Sequence, residues 1–141
     1  MKEGDITLKK QGILNSDISR VLSYMGHTDT ICIGDCGLPI PDAVERIDLA
    51  LAFGEPTFMR TLEIVAGDMK VEKIVLAEEI KEQNPEVLGR IQTFFAGQDV
   101  EVEFVSHAEL KARTQDCKAV IRTGEITPYA NIILQSGCIF A

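Results

Sequence analysis

The sequence predicts an α/β fold: a single domain with a mixed, largely parallel sheet flanked by helices. Three observations carry that prediction. Short apolar, β-branched runs such as "TICIG", "KIVLA" and "AVIRTG" recur along the chain. Between them lie segments of helical periodicity with caps, the clearest being "NPEVLGRIQTFFAG", which has Asn-Pro at its start and Gly at its end. No internal repeat, low-complexity stretch or linker breaks the alternation of the two.

Element by element, residues 1–11 read as a polar N-terminal extension and residues 12–141 as one domain. "NSDISRVLSYMG" predicts a helix, with Asn15 or Ser16 as N-cap, Ile18, Val21, Leu22 and Met25 on one face, and Gly26 as a left-handed terminator. "TICIG" predicts a buried strand closing at Asp35, and "GLPIPD" a loop whose path two prolines fix. "RIDLALAFG" alternates Ile47, Leu49 and Leu51 with Asp48 and Ala50, the pattern of a strand with one wetter face. Pro56 can open a helix over "TFMRTLEIVAGDM", followed by strand "KIVLA" and the short acidic helix "EEIKEQ". "VEVEFV" alternates as a strand and runs into "SHAE", where Ser106 and Glu109 have the spacing of a capping box. "KAVIRTG" and "YANIILQSG" predict two final strands.

Composition narrows the function. Of 141 residues, 45% are hydrophobic and 26% charged, which fits a globular domain and not a disordered one. The net charge of −8, with no basic stripe, argues against nucleic acid and anionic membranes as partners. Apolar runs fall far short of the ~20 residues of a membrane helix, and the polar opening "MKEGDITLKKQG" gives no expectation of a secretory or transit leader. Four cysteines without a C-x-x-C pair predict buried, reduced thiols, no metal or redox centre, and a reducing cytoplasm. No phosphate loop, G-x-G-x-x-G, G-x-S-x-G or H-E-x-x-H motif is present.

The candidate chemistry lies in five polar side chains. Asp35 ends a strand and His107 follows another at a helix start, so both can face a crevice at the carboxyl end of the sheet. Asp35 reads either as a turn-binding carboxylate or as an acceptor for two sugar hydroxyls. His107 reads either as a surface residue in a first helical turn or as a ligand-orienting imidazole. His27, just beyond a helix C-terminus where the dipole favours a cation, reads as a turn residue capping that helix or as a proton donor. Tyr129 and Asn131, two apart, fall on one side of an extended segment. Two imidazoles, a carboxylate, a phenol and an amide suit an uncharged polyol better than an anion. His27 and Asp35 sit at opposite ends of one strand, so one chain has no need to bring them together.

In order along the chain, "GILNSDIS", "MGHTD", "DCGLPIP", "RIDLAL", "AEEIK", "SHAEL" and "AVIRTGEITPYANIIL" resemble the ribose branch of the ribose/fucose mutarotase family. The resemblance covers roughly residues 11–140. The fucose branch carries Asn-Phe-Pro where this chain has Gly37, Leu38 and Pro39. The resemblance implies an isomerase that interconverts pyranose and furanose forms of D-ribose, supplying the sugar for phosphorylation without metal or organic cofactor. It implies a cytoplasmic, ring-shaped homo-oligomer, a decamer of stacked pentamers, with sites at subunit boundaries. The family's proton donor falls on His27, and its substrate-binding positions fall on Asp35, His107, Tyr129, Ala130 and Asn131. His107 is also a candidate base. The alternatives are a fucose-type mutarotase and a non-catalytic sugar-binding accessory of a transport or regulatory system.

Overall fold

The structure, a computed structural model, describes residues 9–140. Most of the extension expected over residues 1–11 therefore lies outside the described residues. In chain order the elements are α1 (Ser16–Tyr24), β1 (Thr30–Gly34), β2 (Glu45–Asp48), α2 (Phe58–Gly67), β3 (Val71–Ala77), α3 (Ile80–Gln83), α4 (Pro85–Phe95), β4 (Glu101–Val105), α5 (His107–Arg113), β5 (Ala119–Arg122) and β6 (Ile132–Ser136).

The strands form one six-stranded sheet in the order β2-β5-β1-β6-β3-β4. β5 runs parallel to β1 and β2, and β3 parallel to β4. β6 is antiparallel to both neighbours, β1 and β3. Five strands thus end where β6 begins, and this reversal fixes which residues can meet at each end of the sheet.

Alternation along the strands divides the core between two faces. Ile31 and Ile33 of β1, with Ile121, Ile132 and Leu134, pack against Val21 of α1, Leu62 of α2 and Ile91 of α4. Cys32 between them points the other way, joining Val75, Val120 and Ile133 under Leu38 and Leu110 of α5. Helix starts use side-chain caps: the oxygens of Asn15, Thr57, Asn84 and Ser106 accept from Ile18, Arg60, Val87 and Glu109 amides. Asn84 does a second task, since its Nδ2 donates to Thr127 Oγ1 at 3.0 Å and to the Pro128 carbonyl at 2.9 Å, tying down the chain just before Tyr129.

Three local expectations are corrected. Gly26 is not the left-handed residue after α1: Met25 leaves the helix in extended conformation and Thr28 takes positive φ, at 74°. The Asp29 side chain accepts from the Gly26 amide and so fixes the turn without a glycine terminator. The strand expected over "RIDLALAFG" stops at Asp48, because β5, its neighbour in the sheet, ends at Arg122 opposite it. The chain then turns on Gly54, at φ 79°, with an isolated bridge between Ala52 and Glu55. The helix after Pro56 begins at Phe58, with Thr57 as its cap. Among the described residues, no helix is long and apolar enough to cross a membrane.

Candidate active site

At the carboxyl end of the sheet, Asp35 and Asn131 hold each other. The Asp35 amide donates to Asn131 Oδ1 at 2.8 Å, and Asn131 Nδ2 donates to Asp35 Oδ2 at 3.2 Å. Asp35 Oδ1 also accepts from the Gly37 amide at 2.9 Å, so the turn-binding role is present alongside any ligand role. Asn131 is fully buried. Its approach requires Gly34, where a β-carbon would lie 3.1 Å from Asn131 Oδ1 and 2.6 Å from Leu38 Cδ2. The pair is a preformed acceptor, with the carboxylate oriented before any ligand arrives.

Beside it, His107 begins α5, and its ring stands edge-on to Tyr129 with centroids 5.0 Å apart. Its backbone amide donates to both oxygens of Glu79, at 3.0 and 3.2 Å, while Ser106 caps the Glu109 amide. His107 Nδ1 is buried and has no hydrogen-bond partner. A buried polar atom without a partner is costly, and this nitrogen is enclosed by the protein. Tyr129, Ala130 and Asn131 connect the two pairs, because the entry to antiparallel β6 lies at the end where β1 and β4 finish. The segment is not extended as expected: Tyr129 has φ 58°, and the Asn131 amide donates to the Tyr129 carbonyl at 2.9 Å. This bend, and not strand alternation, directs the phenol to His107 and the amide to Asp35. A cleft of about 560 Å³ lined by Glu78, Glu79, Phe104, Val105 and Ser106 adjoins the start of α5.

His27 lies at the opposite end. Its turn precedes β1 and is tied to the end of β6 by a Thr28 amide bond to the Ser136 carbonyl at 2.9 Å. Its Nε2 is 2.8 Å from Glu72 Oε1, and Glu72 Oε2 accepts from Gln135 Nε2 at 2.6 Å. These bonds, from Gln135 first and then His27, hold the Glu72 carboxyl below the usual carboxylate range. Sequence reasoning missed Glu72, Gln135 and Glu79. Their partners lie 28 to 63 positions away, so no local spacing announces them. Among the described residues, the non-glycine residues with positive φ are Thr28 and Tyr129, one beside each half of the candidate site. Backbone in this region is costly for a side-chain-bearing residue and concentrates at functional positions.

The five residues of β1 span roughly 17 Å, separating His27 from Asp35. The structure therefore gathers Asp35, His107, Tyr129, Ala130 and Asn131 at one end and leaves His27 at the other.

Comparison with known proteins agrees with this architecture. D-ribose pyranase of Streptococcus uberis is 58% identical over 130 residues, covering 92% of this chain and 98% of the relative. D-ribose pyranase of Bacillus cytotoxicus is 53% identical over 133 residues, covering 94% and 100%. Among solved structures, Bacillus subtilis RbsD complexed with D-ribose matches with a TM-score of 0.90 at 50% identity, over 94% of this chain and 100% of that one. The fucose mutarotase of Streptococcus pneumoniae, in complex with L-fucose, shares the fold at a TM-score of 0.76 and 21% identity, over 88% and 93%. A family model matches residues 8–139, and the chain belongs to the family it describes, the RbsD / FucU transport protein family.

Proposed function

We propose that the chain is a D-ribose pyranase, an isomerase that interconverts the pyranose and furanose forms of D-ribose by ring opening and reclosure. The observation that carries this reading is the likeness, over nearly the whole of both chains, to a relative whose structure holds D-ribose. The polar groups at the carboxyl end of the sheet suit that ligand. Asp35 offers an oriented carboxylate for hydroxyl groups, and His107 and Tyr129 place an imidazole and a phenol against each other at the same end of the sheet.

The proton donor in this reading is His27, contributed by a neighbouring protomer to the Asp35 end of another. The length of β1, which separates His27 from Asp35 within one chain, supports this reading. Support for such an assembly comes from apolar side chains exposed at both ends of the sheet: Leu51 and Phe53 in the loop after β2, and Ile139 and Phe140 after β6. A closed, ring-shaped homo-oligomer, a decamer of two stacked rings, covers both sets, and its place is the cytoplasm. Domain limits of 12–141, with residues 1–11 as an extension, belong to the same reading.

His27 gives a proton to the ring oxygen as the bond from that oxygen to the anomeric carbon breaks. The anomeric hydroxyl loses its proton to a base, His107 or a water held by it, and becomes the aldehyde carbonyl. After rotation a different hydroxyl adds to the carbonyl, its proton returns to His27, and the base returns its own to the new anomeric oxygen. A placed acid and base contribute roughly 10²–10⁴-fold. Asp35, Asn131 and Tyr129 orient the hydroxyls.

The test is saturation-transfer NMR between ribose anomer signals. Wild-type protein is expected to accelerate exchange and His27→Ala to abolish the acceleration while retaining fold and assembly. Unchanged exchange in that variant removes His27 from the mechanism. The transport description of the family favours a second reading, a sugar-binding accessory protein. Tight ribose binding by the wild-type protein without faster exchange decides for it.

A further inference from the structure

We propose that Glu72 is the positioning residue of His27, binding Nε2 so that Nδ1 is the nitrogen that exchanges a proton with the sugar. This rests on the reading of His27 as proton donor and specifies which face of the ring works. The geometry is a relay of three side chains from three elements. Gln135 of β6 donates to Glu72 Oε2 at 2.6 Å, and Glu72 Oε1 lies 2.8 Å from His27 Nε2. Glu72 belongs to β3 and Gln135 to β6, adjacent strands, so the carboxylate is fixed by the sheet.

An ionised carboxylate only accepts hydrogen bonds. The bonds that hold Glu72 ionised therefore require Nε2 to carry hydrogen whether the ring is neutral or protonated. Nδ1 is then the nitrogen that changes state: protonated, it donates to the ring oxygen; neutral, it takes the proton back on reclosure. The same position serves both halves of the reaction without a ring flip. The turn carrying His27 is held independently, by the Gly26 amide to Asp29 Oδ2 at 2.8 Å and the Thr28 amide to the Ser136 carbonyl at 2.9 Å. Loss of Glu72 therefore frees the imidazole without dismantling the turn.

Stability is a poor explanation for this arrangement. The His27 side chain is 53% exposed and that of Glu72 33%, and ion pairs so open to solvent contribute little to folding. An exposed imidazole anchored at one nitrogen is what a residue reaching into a neighbouring protomer requires.

The test compares wild type, Glu72→Gln, His27→Ala and the double variant by ribose exchange kinetics. Nitrogen-15 NMR of the imidazoles accompanies it, and with only two histidines in the chain His27→Ala assigns the signals. Glu72→Gln is expected to fold and assemble and to lower kcat roughly 10- to 100-fold, the scale for carboxylates that orient an imidazole from behind. KM is expected to stay near wild type, and Glu72→Gln to add nothing in the His27→Ala background. Neutral His27 is expected to carry its proton on Nε2 in the wild type, with a bonded, slowly exchanging signal lost in Glu72→Gln. If His27→Ala abolishes exchange while Glu72→Gln keeps wild-type kcat, or alters KM alone, the positioning role falls and the donor assignment stands. Neutral wild-type His27 protonated on Nδ1 overturns it equally. If His27→Ala itself leaves exchange intact, the failure lies with the donor assignment.

Discussion

Replacing Asn131 with alanine isolates the Asp35–Asn131 pair. The side chain is fully buried and makes both bonds of the pair, so truncation strands the Asp35 amide and removes a donor from the Asp35 carboxylate. A stranded, largely buried donor costs about 1–3 kcal/mol, and a bond to a partly exposed carboxylate is placed at the low end for charged groups, about 1.5 kcal/mol. Together these give a loss of about 3 kcal/mol. An unfolding entropy of about 2.1 cal/mol/K per residue makes that a fall in Tm of roughly 10 °C for a domain of this size. Calorimetry reads the fall, and ribose titration of the same sample reads a weakened affinity, because the carboxylate is then free to turn away. Asn131→Asp is the sharper companion. It keeps the oxygen that serves the Asp35 amide but sets a second carboxylate against the first, so the two share a proton and the pair's folded-state pKa rises above its unfolded value. Its penalty is therefore present at neutral pH, fades as pH falls through the raised folded-state pKa, and is gone below about 4, where both states are protonated. A Tm change under about 2 °C in the alanine variant, with unaltered ribose affinity, refutes the argument that this pair is a built part of the site.

Gly34→Ala introduces a β-carbon against Leu38 and Asn131, and overpacking of about 1–3 kcal/mol is expected to lower Tm and raise KM for ribose together. Glu103, which Arg113 first and Lys73 second hold down to about 2, has a folded pKa below its unfolded value; its stabilisation is present above about 4.5 and lost as pH falls toward 2. The Tm gap between wild type and Glu103→Gln is therefore expected to be full at neutral pH and to close in acid. Burial pushes the Cys117 thiol up to about 11 and Cys32 well above its usual value, so both are expected to resist iodoacetamide at pH 8 in the folded protein and to react in urea. If the site is shared between protomers, His27→Ala and Asp35→Asn subunits, each inactive alone, are expected to regain roughly a quarter of wild-type activity on co-assembly, since a random mixture pairs intact halves that often; no recovery places the reaction within one chain.

The fold was legible because its signals are local. "TICIG" and "VEVEFV" declare strands through their own residues, and "NPEVLGRIQTFFAG" carries its cap, its apolar face and its stop. The failures are places where distant chain decides. "RIDLALAFG" alternates like a strand to its end, yet the strand stops at Asp48: the Leu49 amide takes the last β5 carbonyl, that of Arg122, and the chain then bonds back on itself from Leu51 to Glu55. Tyr129 reads as extended, but the Asn84 clamp on Thr127 and Pro128 delivers it bent. The candidate residues themselves were visible because strand ends and helix starts can be located from sequence, and ligands gather there. Their supports were not, since Glu72 reaches His27 across 45 positions. The helix-end argument placed a negative pole near His27, and the structure supplies a nearer one in Glu72.

The role of β6 follows from its direction. Its core, Ile132, Ile133 and Leu134, is fully or nearly fully buried between β1 and β3. An amide side chain stands at each end of that apolar stretch, Asn131 before it and Gln135 after it. In a strand parallel to its neighbours, Asn131 would sit at the amino end of the sheet, away from Asp35. Reversed, the strand delivers Asn131 to Asp35 at one end and Gln135 to Glu72, behind His27, at the other. A neutral amide is the residue type these positions call for. It donates to a carboxylate at both ends without adding charge to a sheet that must stay dry between them. One buried strand thus orients the Asp35 carboxylate at one end of the sheet and the Glu72 carboxylate, behind His27, at the other; in the proposed reading these are the two half-sites that a neighbouring protomer completes.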